Sequence, residues 1–285
     1  MINCGGETRH SQPDDVYQAR SYNLSIALAR EVSRRGIRSF VECSTAHVYK
    51  SGSTPRKEED KLQAWHNLAK WKLKANEELL KIPNLNYIVL RLPNVFGEYE
   101  SGHFAMGICL ARVYLDMERD LEFLYSKDLK TNTLYVKDAA SALWRAAEWR
   151  FNAPTDGSVP IMYNVVDHNN TTQGQMADAL TEVFGLKCSF LGSLASQFAK
   201  LNMDDVVDDM NEVALQGWSD LVEEKGIERP GPISPFIEKD VLRDQDMSID
   251  GTLFETTTGW KPTKNFGPDC IRDMVESYKR MGWWP

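Results

Sequence analysis

Phe40-Val41-Glu42-Cys43-Ser44-Thr45-Ala46-His47-Val48-Tyr49 is the stretch on which the reading of this chain turns. With Ser39 before it, its first half reads as a short apolar strand of the kind buried in a parallel sheet. Upstream, Pro13 stands near the start of a helical pattern, with Asp14 and Asp15 in its first turn. Leu24, Ala27, Leu28 and Val32 give it an apolar face, and Arg34-Arg35-Gly36 close it. Acid first, base last and glycine beyond is the order that the helix dipole and a left-handed cap favour. Before that helix, Ile2–Cys4 forms a short apolar strand that ends at Gly5-Gly6. Downstream, a polar loop runs to about Lys61. A second helix is then expected over Leu62–Lys81, with Ala69, Leu73, Asn76 and Leu80 on one face and Pro83 to end it. Tyr87–Arg91 reads as a third strand. The sum is β-α-β-α-β, which right-handed crossovers fold into part of an open, doubly wound sheet.

Composition sets the bounds. The chain has 285 residues, 42% hydrophobic and 26% charged, and a net charge of −8. That charge gives no basic surplus for nucleic acid or an anionic membrane surface, so neither is expected as a partner. No apolar run approaches the roughly 18 residues that span a bilayer, and MINCGGETRH lacks the basic and apolar regions of a signal peptide. Five cysteines, Cys4, Cys43, Cys109, Cys188 and Cys270, lie far apart with no CxxC pair. Free thiols in a reducing, cytoplasmic setting are expected.

The second half is less regular. Thr133–Val136 reads as a strand leading into a helix from Lys137 to about Trp149, and Ile161–Val166 as another strand. Thr172-Gln173-Gly174-Gln175 has capping-box spacing and opens a helix that stops at Gly185. Residues 196–225 read as helical and acidic; Asp204, Asp205, Asp208, Asp209 and Glu212 form a solvated face rather than a calcium loop. Trp218, Trp260, Trp283 and Trp284 are expected to pack a core rather than line a carbohydrate site. The histidines show no metal-ligand spacing and no serine lies in GxSxG, so neither a metal centre nor a hydrolase triad is expected. None of the 18 glycines lies two or three positions from another. GxGxxG, GxxGxxG and GxxxxGK[ST] phosphate loops are therefore all missing from this sequence.

The segment Phe40–Tyr49 resembles the "FV-x-x-S-[ST]-x-x-VY" motif of extended short-chain dehydrogenases/reductases, the NAD-dependent epimerase/dehydratase family. Further segments agree with that family in order: Ile2–Thr8 with its fourth Rossmann strand and turn, Arg91-Leu92-Pro93-Asn94-Val95-Phe96-Gly97 with "R-x-x-N-V-[YF]-G", and Leu134–Ala140. Tyr163-Asn164-Val165-Val166 with Thr171-Thr172, and Gly259-Trp260-Lys261-Pro262, complete the series. The resemblance implies an α/β fold: a truncated, Rossmann-like, doubly wound parallel sheet with a smaller α+β substrate domain. Residues 1–165 would form the incomplete NAD(P)-binding domain, with 97–133 contributing partly to the substrate side, and 166–285 the substrate-binding domain. It implies NAD or NADP as cofactor and a small polar substrate, sugar nucleotides included.

By the same resemblance Thr45 holds the reacting oxygen and Lys72 acts as the family lysine, at the catalytic centre and on the nicotinamide ribose. Gly5, Gly6, Ser44, Pro93 and Val95 border the cofactor, and Asn94 faces the substrate; His47 is placed toward the substrate by its position in the Thr45 loop, with a structural histidine as the alternative. In this frame Leu68 occupies the position of the catalytic tyrosine and carries no proton, a loss worth roughly 10²–10⁴ in rate. Shifting the frame by two pairs His66 with Lys70 instead, and Tyr49 is a further proton donor to weigh. The lysines at 70, 72 and 74 are equally those of a solvated helix face, and Thr45 equally bonds its own turn. Because the resemblance begins at the fourth strand and the glycine loop is missing, dinucleotide binding is expected to be weak and turnover impaired. The Ile2–Cys4 strand is expected to leave an exposed edge that a second copy or a partner strand covers. The rival expectation is a non-catalytic binding or scaffold protein on a degenerate version of the same fold.

Overall fold

The computed structural model describes residues 1–155, 157–159, 161–192, 196–197 and 201–285. In chain order the strands are β1 (Ile2–Asn3), β2 (Phe40–Thr45), β3 (Tyr87–Leu92), β4 (Asn94–Phe96), β5 (Leu121–Phe123), β6 (Thr133–Tyr135), β7 (Met162–Asn164) and β8 (Cys188–Phe190). The helices are α1 (Asp14–Tyr17), α2 (Asn23–Arg34), α3 (Asn67–Leu79), α4 (His103–Asp116), α5 (Val136–Asn152), α6 (Gln173–Phe184), α7 (Met203–Glu224), α8 (Thr252–Thr258) and α9 (Pro268–Arg280). The described residues fall into two compact units, one of residues 1–95, 131–170 and 245–265, the other of 96–130, 171–244 and 266–285.

The first unit is built on a parallel sheet of order β1-β2-β3-β7. Ile2 pairs with Val41, Phe40 with Tyr87, Thr45 with Leu92 and Val89 with Met162. Every residue of β3 is buried, as a parallel strand covered on both faces requires. Side chains alternate across it. Val41, Ile88 and Leu90 pack with Ala142, Ala146, Tyr163, Phe254 and Trp260 on the α5 side. Phe40, Tyr87 and Val89 pack with Ile26, Ala29, Val32 and Leu79 of α2 and α3 on the other. This is the doubly wound arrangement expected from the alternation of strands and helices.

The helix after β1 begins on acidic residues as expected, but α1 passes through a π turn (Gln18–Tyr22) before α2. Gly36 follows α2 at φ +63°. The second helix starts later than the apolar pattern suggests. Leu62 is held in an antiparallel bridge to Tyr49, and His66 rather than Leu62 stands at the helix entrance.

In the second unit β5 pairs in parallel with β8. The capping box that opens α6 is formed in both directions between Thr172 and Gln175, and Gly185 ends the helix at φ +67°. Asp204, Asp205, Asp208, Asp209 and Glu212 lie on the exposed side of α7, while Val207, Ala214, Trp218 and Leu221 form its buried side. Trp218 packs edge-on to Trp284, with ring centroids 6.0 Å apart. Among the described residues no helix is long and apolar enough to cross a membrane, and no group of three or more His, Cys, Asp or Glu side chains could hold a metal ion.

Candidate functional site

Because β1, β2 and β3 run parallel, the segments that follow them emerge along one edge of the sheet. Ligands of open α/β sheets bind at such carboxyl ends. Gly5-Gly6 follows β1, Ser44-Thr45 ends β2, and Pro93-Asn94-Val95 follows β3. Pro93 is buried, and Asn94 and Val95 are half-buried. Asn94 also donates its backbone N–H to the Asn132 carbonyl at 3.2 Å.

Lys72 is carried to this edge by α3 and is buried, not solvated. Its Nζ donates to the Cys43 carbonyl at 3.0 Å and to the Gly5 carbonyl at 3.5 Å. Glu42 Oε1 lies 3.9 Å away. Glu42 has no exposed surface, and accepts hydrogen bonds from Asn3 Nδ2 and Ser25 Oγ, both at 2.7 Å. Burial raises its pKa above the ordinary carboxylate value, while the Lys72 charge acts in the opposite sense. A Cβ at Gly6 would stand 3.2 Å from Ser21 Oγ and 3.4 Å from Lys72 Nζ, and φ there is +136°. Glycine at this position is thus demanded by backbone and by space. Sequence reasoning passed over Glu42. The signal available was a lone carboxylate inside an otherwise apolar strand.

Ser44 donates through Oγ to Asn76 Oδ1 at 2.8 Å and ties β2 to α3. Thr45 Oγ1 accepts from the His47 backbone N–H at 3.2 Å, capping the short 3₁₀ turn Ala46–Val48. Its hydroxyl hydrogen is left over from that bond. Leu68, in the first turn of α3, brings no titratable atom. Tyr49 is committed elsewhere: its hydroxyl donates to Asn164 Oδ1 at 2.8 Å and accepts from Arg91 Nη1 at 2.5 Å. Burial pushes that phenol upward. The alternative frame of His66 with Lys70 is not assembled. His66 is buried at the entrance of α3, whereas Lys70 is exposed and bonds Asn67 Oδ1 at 3.2 Å.

His66 Nδ1 accepts from the Ala69 backbone N–H at 3.2 Å, and its Nε2 lies 2.9 Å from His47 Nδ1. The His47 ring is stacked on Trp65 with centroids 5.0 Å apart. His10, from the loop after β1, stands edge-on to His66 at 4.7 Å.

The sequence profile of the NAD dependent epimerase/dehydratase family matches residues 2–165. Methionine adenosyltransferase 2 subunit beta of Rattus norvegicus is 27% identical over 196 residues, and the Mus musculus protein likewise. The aligned region is 67% of this chain and 56% of the relatives, so the chain spans just over half of their length. Among solved structures, Bordetella bronchiseptica WbmG in complex with NAD and UDP superposes with a TM-score of 0.66 at 14% identity, covering 99% of this chain and 73% of that one. The Bacillus cereus UDP-glucuronic acid 4-epimerase, in complex with UDP-glucuronic acid and NAD, gives 0.65 at 14%, covering 98% and 74%. At such identities the likeness speaks for the fold, and the profile match speaks for descent. A parallel, doubly wound sheet with the family's segments at its carboxyl edge agrees with both, and the chain belongs to the NAD dependent epimerase/dehydratase family.

Proposed function

We propose that the chain serves an NAD(P)-dependent epimerase, dehydratase or reductase reaction on a small polar substrate of the sugar-nucleotide class, with turnover impaired. The observation that carries the reading is the convergence of Gly5-Gly6, Ser44-Thr45, Lys72 and Pro93-Asn94-Val95 at one carboxyl edge of a parallel sheet. Thr45 would donate to the reacting oxygen, and Lys72 would hold the nicotinamide ribose. Gly5, Gly6, Ser44, Pro93 and Val95 would border the dinucleotide, with His47 and Asn94 toward the substrate. A bound dinucleotide would supply the hydride acceptor. Impairment would follow from Leu68, which offers no proton at the position the resemblance gives to the tyrosine. Calorimetric titration of the purified chain with NAD⁺ and NADP⁺, then with UDP-glucose in the presence of each, tests the proposal. Weak dinucleotide binding, lost further in Lys72→Met, is expected. Micromolar affinity would overturn the impairment, and binding indifferent to Lys72→Met would overturn the role of that lysine.

A second reading is a non-catalytic binding subunit on the same fold. Leu68 at the tyrosine position favours it, as do relatives that are themselves named as a subunit. Ligand binding without any change in NADH absorbance would decide for it. Both readings include association through β1, which is an edge strand among the described residues. A groove of about 1150 Å³ runs beside it, lined by Met1, Ile2, Trp144 and Phe151 among others. Light scattering that finds a monomer at all concentrations would remove a second copy as its occupant. A cytoplasmic setting belongs to the same proposal and rests on five free thiols.

A further inference from the structure

We infer that Glu42 is the positioning residue of this sheet edge: its two carboxylate oxygens hold, one each, Asn3 and Lys72, the side chains that support the Gly5-Gly6 turn. The inference deepens the function proposed above and rests on it for the identity of the ligand.

Among the described residues, every polar group that meets the Glu42 carboxylate is a donor. Oε2 accepts from Asn3 Nδ2 at 2.7 Å. Oε1 accepts from Ser25 Oγ at 2.7 Å and faces Lys72 Nζ at 3.9 Å. Asn3 Nδ2 has a second hydrogen, and Ser25 Oγ receives it at 3.2 Å. The three side chains thus close a ring of bonds. An ionised carboxylate accepts at both oxygens, whereas an amide or a protonated acid presents a hydrogen at one of them. The ring therefore calls for a charged residue here, and Lys72 supplies the counter-charge that a buried ion needs. Asn3, Ser25 and Glu42 are all buried, so water competes little for these bonds.

From this ring two arms reach the turn after β1. With Nδ2 committed to Glu42 and Ser25, the Asn3 amide leaves Oδ1 for the Gly5 backbone N–H, which it accepts at 3.0 Å. On the other arm Lys72 Nζ donates to the Gly5 carbonyl at 3.5 Å. Both backbone groups of Gly5 are held in this way, the N–H through Asn3 and the carbonyl through Lys72. A further bond from Nζ to the Cys43 carbonyl, at 3.0 Å, ties the ammonium to β2. Gly6 has φ +136°, and a Cβ there would stand 3.4 Å from Lys72 Nζ, so the ammonium also lies against the turn. Glu42 has no exposed surface and does not meet a ligand. It acts through Asn3 and Lys72 on a segment of the proposed dinucleotide site.

Nuclear magnetic resonance of the ¹⁵N-labelled full chain tests this. In wild type the Gly5 amide is expected to exchange with solvent at least about tenfold more slowly than an unprotected glycine, and the Lys72 ammonium to give a resolved ¹H–¹⁵N signal. A Gly5 amide that exchanges as in an unfolded chain overturns the inference without any variant. Glu42→Gln keeps the shape but sets its amide hydrogens against a donor. Gly5 protection and the Lys72 signal are both expected to be lost in it, while the amides of β3 stay protected. Retention of either in the folded variant overturns the inference. Ser25→Ala removes only the hydroxyl on Oε1 and serves where Glu42→Gln does not fold. In it the Lys72 signal is expected to shift, and an unmoved signal speaks against the inference. With NAD⁺ as probe, Glu42→Gln is expected to lose about tenfold in affinity, the worth of one hydrogen bond. Equal affinity removes the positioning role. If the wild-type chain fails to bind NAD⁺, it is the proposed function that falls, and the Gly5 and Lys72 signals alone decide the inference.

Discussion

Lys72 Nζ stands 3.9 Å from Glu42 Oε1, and the carboxylate it faces has no exposed surface. The lysine proposed above to hold the nicotinamide ribose is thus held from behind by a buried acid, by the Cys43 carbonyl of β2 and by the Gly5 carbonyl just after β1. Removing one partner of such a pair strands the other in a poorly solvated place. Lys72→Met is expected to cost about 3–5 kcal/mol near neutral pH. The sign with pH follows from Glu42, whose folded pKa is raised by burial above 4.5. Stability linked to a raised carboxyl is fully present below the unfolded value and is lost as pH rises through the folded one. The deficit of Lys72→Met should therefore be smallest near the ordinary carboxylate value and widen above it. Urea unfolding of wild type, Lys72→Met and Lys72→Met/Glu42→Leu across that range checks this. A deficit independent of pH, or no recovery in the double variant, would remove Glu42 as the counter-charge.

Tyr49 and Arg91 make the second prediction. Arg91 is 3% exposed, and its Nη1 finds the Tyr49 hydroxyl, which passes the bond on to Asn164. Arg91 Nε is buried with no hydrogen-bond partner. Tyr49→Phe would leave Arg91 Nη1 with only the longer bond to the Glu58 carbonyl, at 3.4 Å, and would take the donor from Asn164 Oδ1, so a loss of about 2 kcal/mol in stability is expected. Because the phenol belongs to the scaffold, UDP-glucose or NAD⁺ binding measured well below the melting point should be unchanged. A binding defect without a stability defect would return Tyr49 to the list of proton donors.

What the sequence disclosed was local. The apolar runs of β2 and β3, the box at Thr172 and Gln175, and the left-handed stops at Gly36 and Gly185 are all written within a few neighbouring residues. What it concealed depends on residues far apart. Glu42 reads as an anomaly until Asn3, Ser25 and Lys72 are seen around it, 39, 17 and 30 positions away along the chain. His47 and His66 are 19 apart. The start of α3 departs from the apolar pattern for the same reason. Leu62 fits a helical stripe, but its bridge to Tyr49 takes it into the preceding loop.

Glu7 sets a third expectation. Its carboxylate is held down to about 2, first by the Arg9 side chain and further by Arg20. Arg9 bonds it through both Nε and Nη2 at 2.9 Å. A lowered carboxyl contributes stability above its unfolded value of 4.5 that is lost as pH falls toward 2. Both arginines stand in water, so screening limits the gain to about 1 kcal/mol. Arg9→Ala should lose that amount near neutral pH and approach wild type in acid, and added salt should shrink the difference. Thermal melts at two salt concentrations would show it, and a salt-insensitive loss would assign Arg9 a packing role instead.

The thiols at the same sheet edge give the last prediction. Cys4 follows β1 directly, one step beyond the Asn3–Glu42 pair, and Cys43 is the next residue of β2. Yet their environments differ. Cys4 is exposed, whereas burial pushes the Cys43 thiol up to about 11. The thiolate is the reacting species in alkylation. Near pH 8 a thiol titrating at about 11 is ionised to roughly one part in a thousand. Burial also raises Cys4, and the Lys72 charge opposes that rise. Iodoacetamide should therefore label Cys4 at least about tenfold faster than Cys43, with Cys109 and Cys270, both buried, joining only on unfolding. Peptide mass spectrometry over a time course measures the order. In Lys72→Met, Cys4 should slow as the opposing charge is lost, and an unaltered rate would place Lys72 Nζ away from the strand ends in solution.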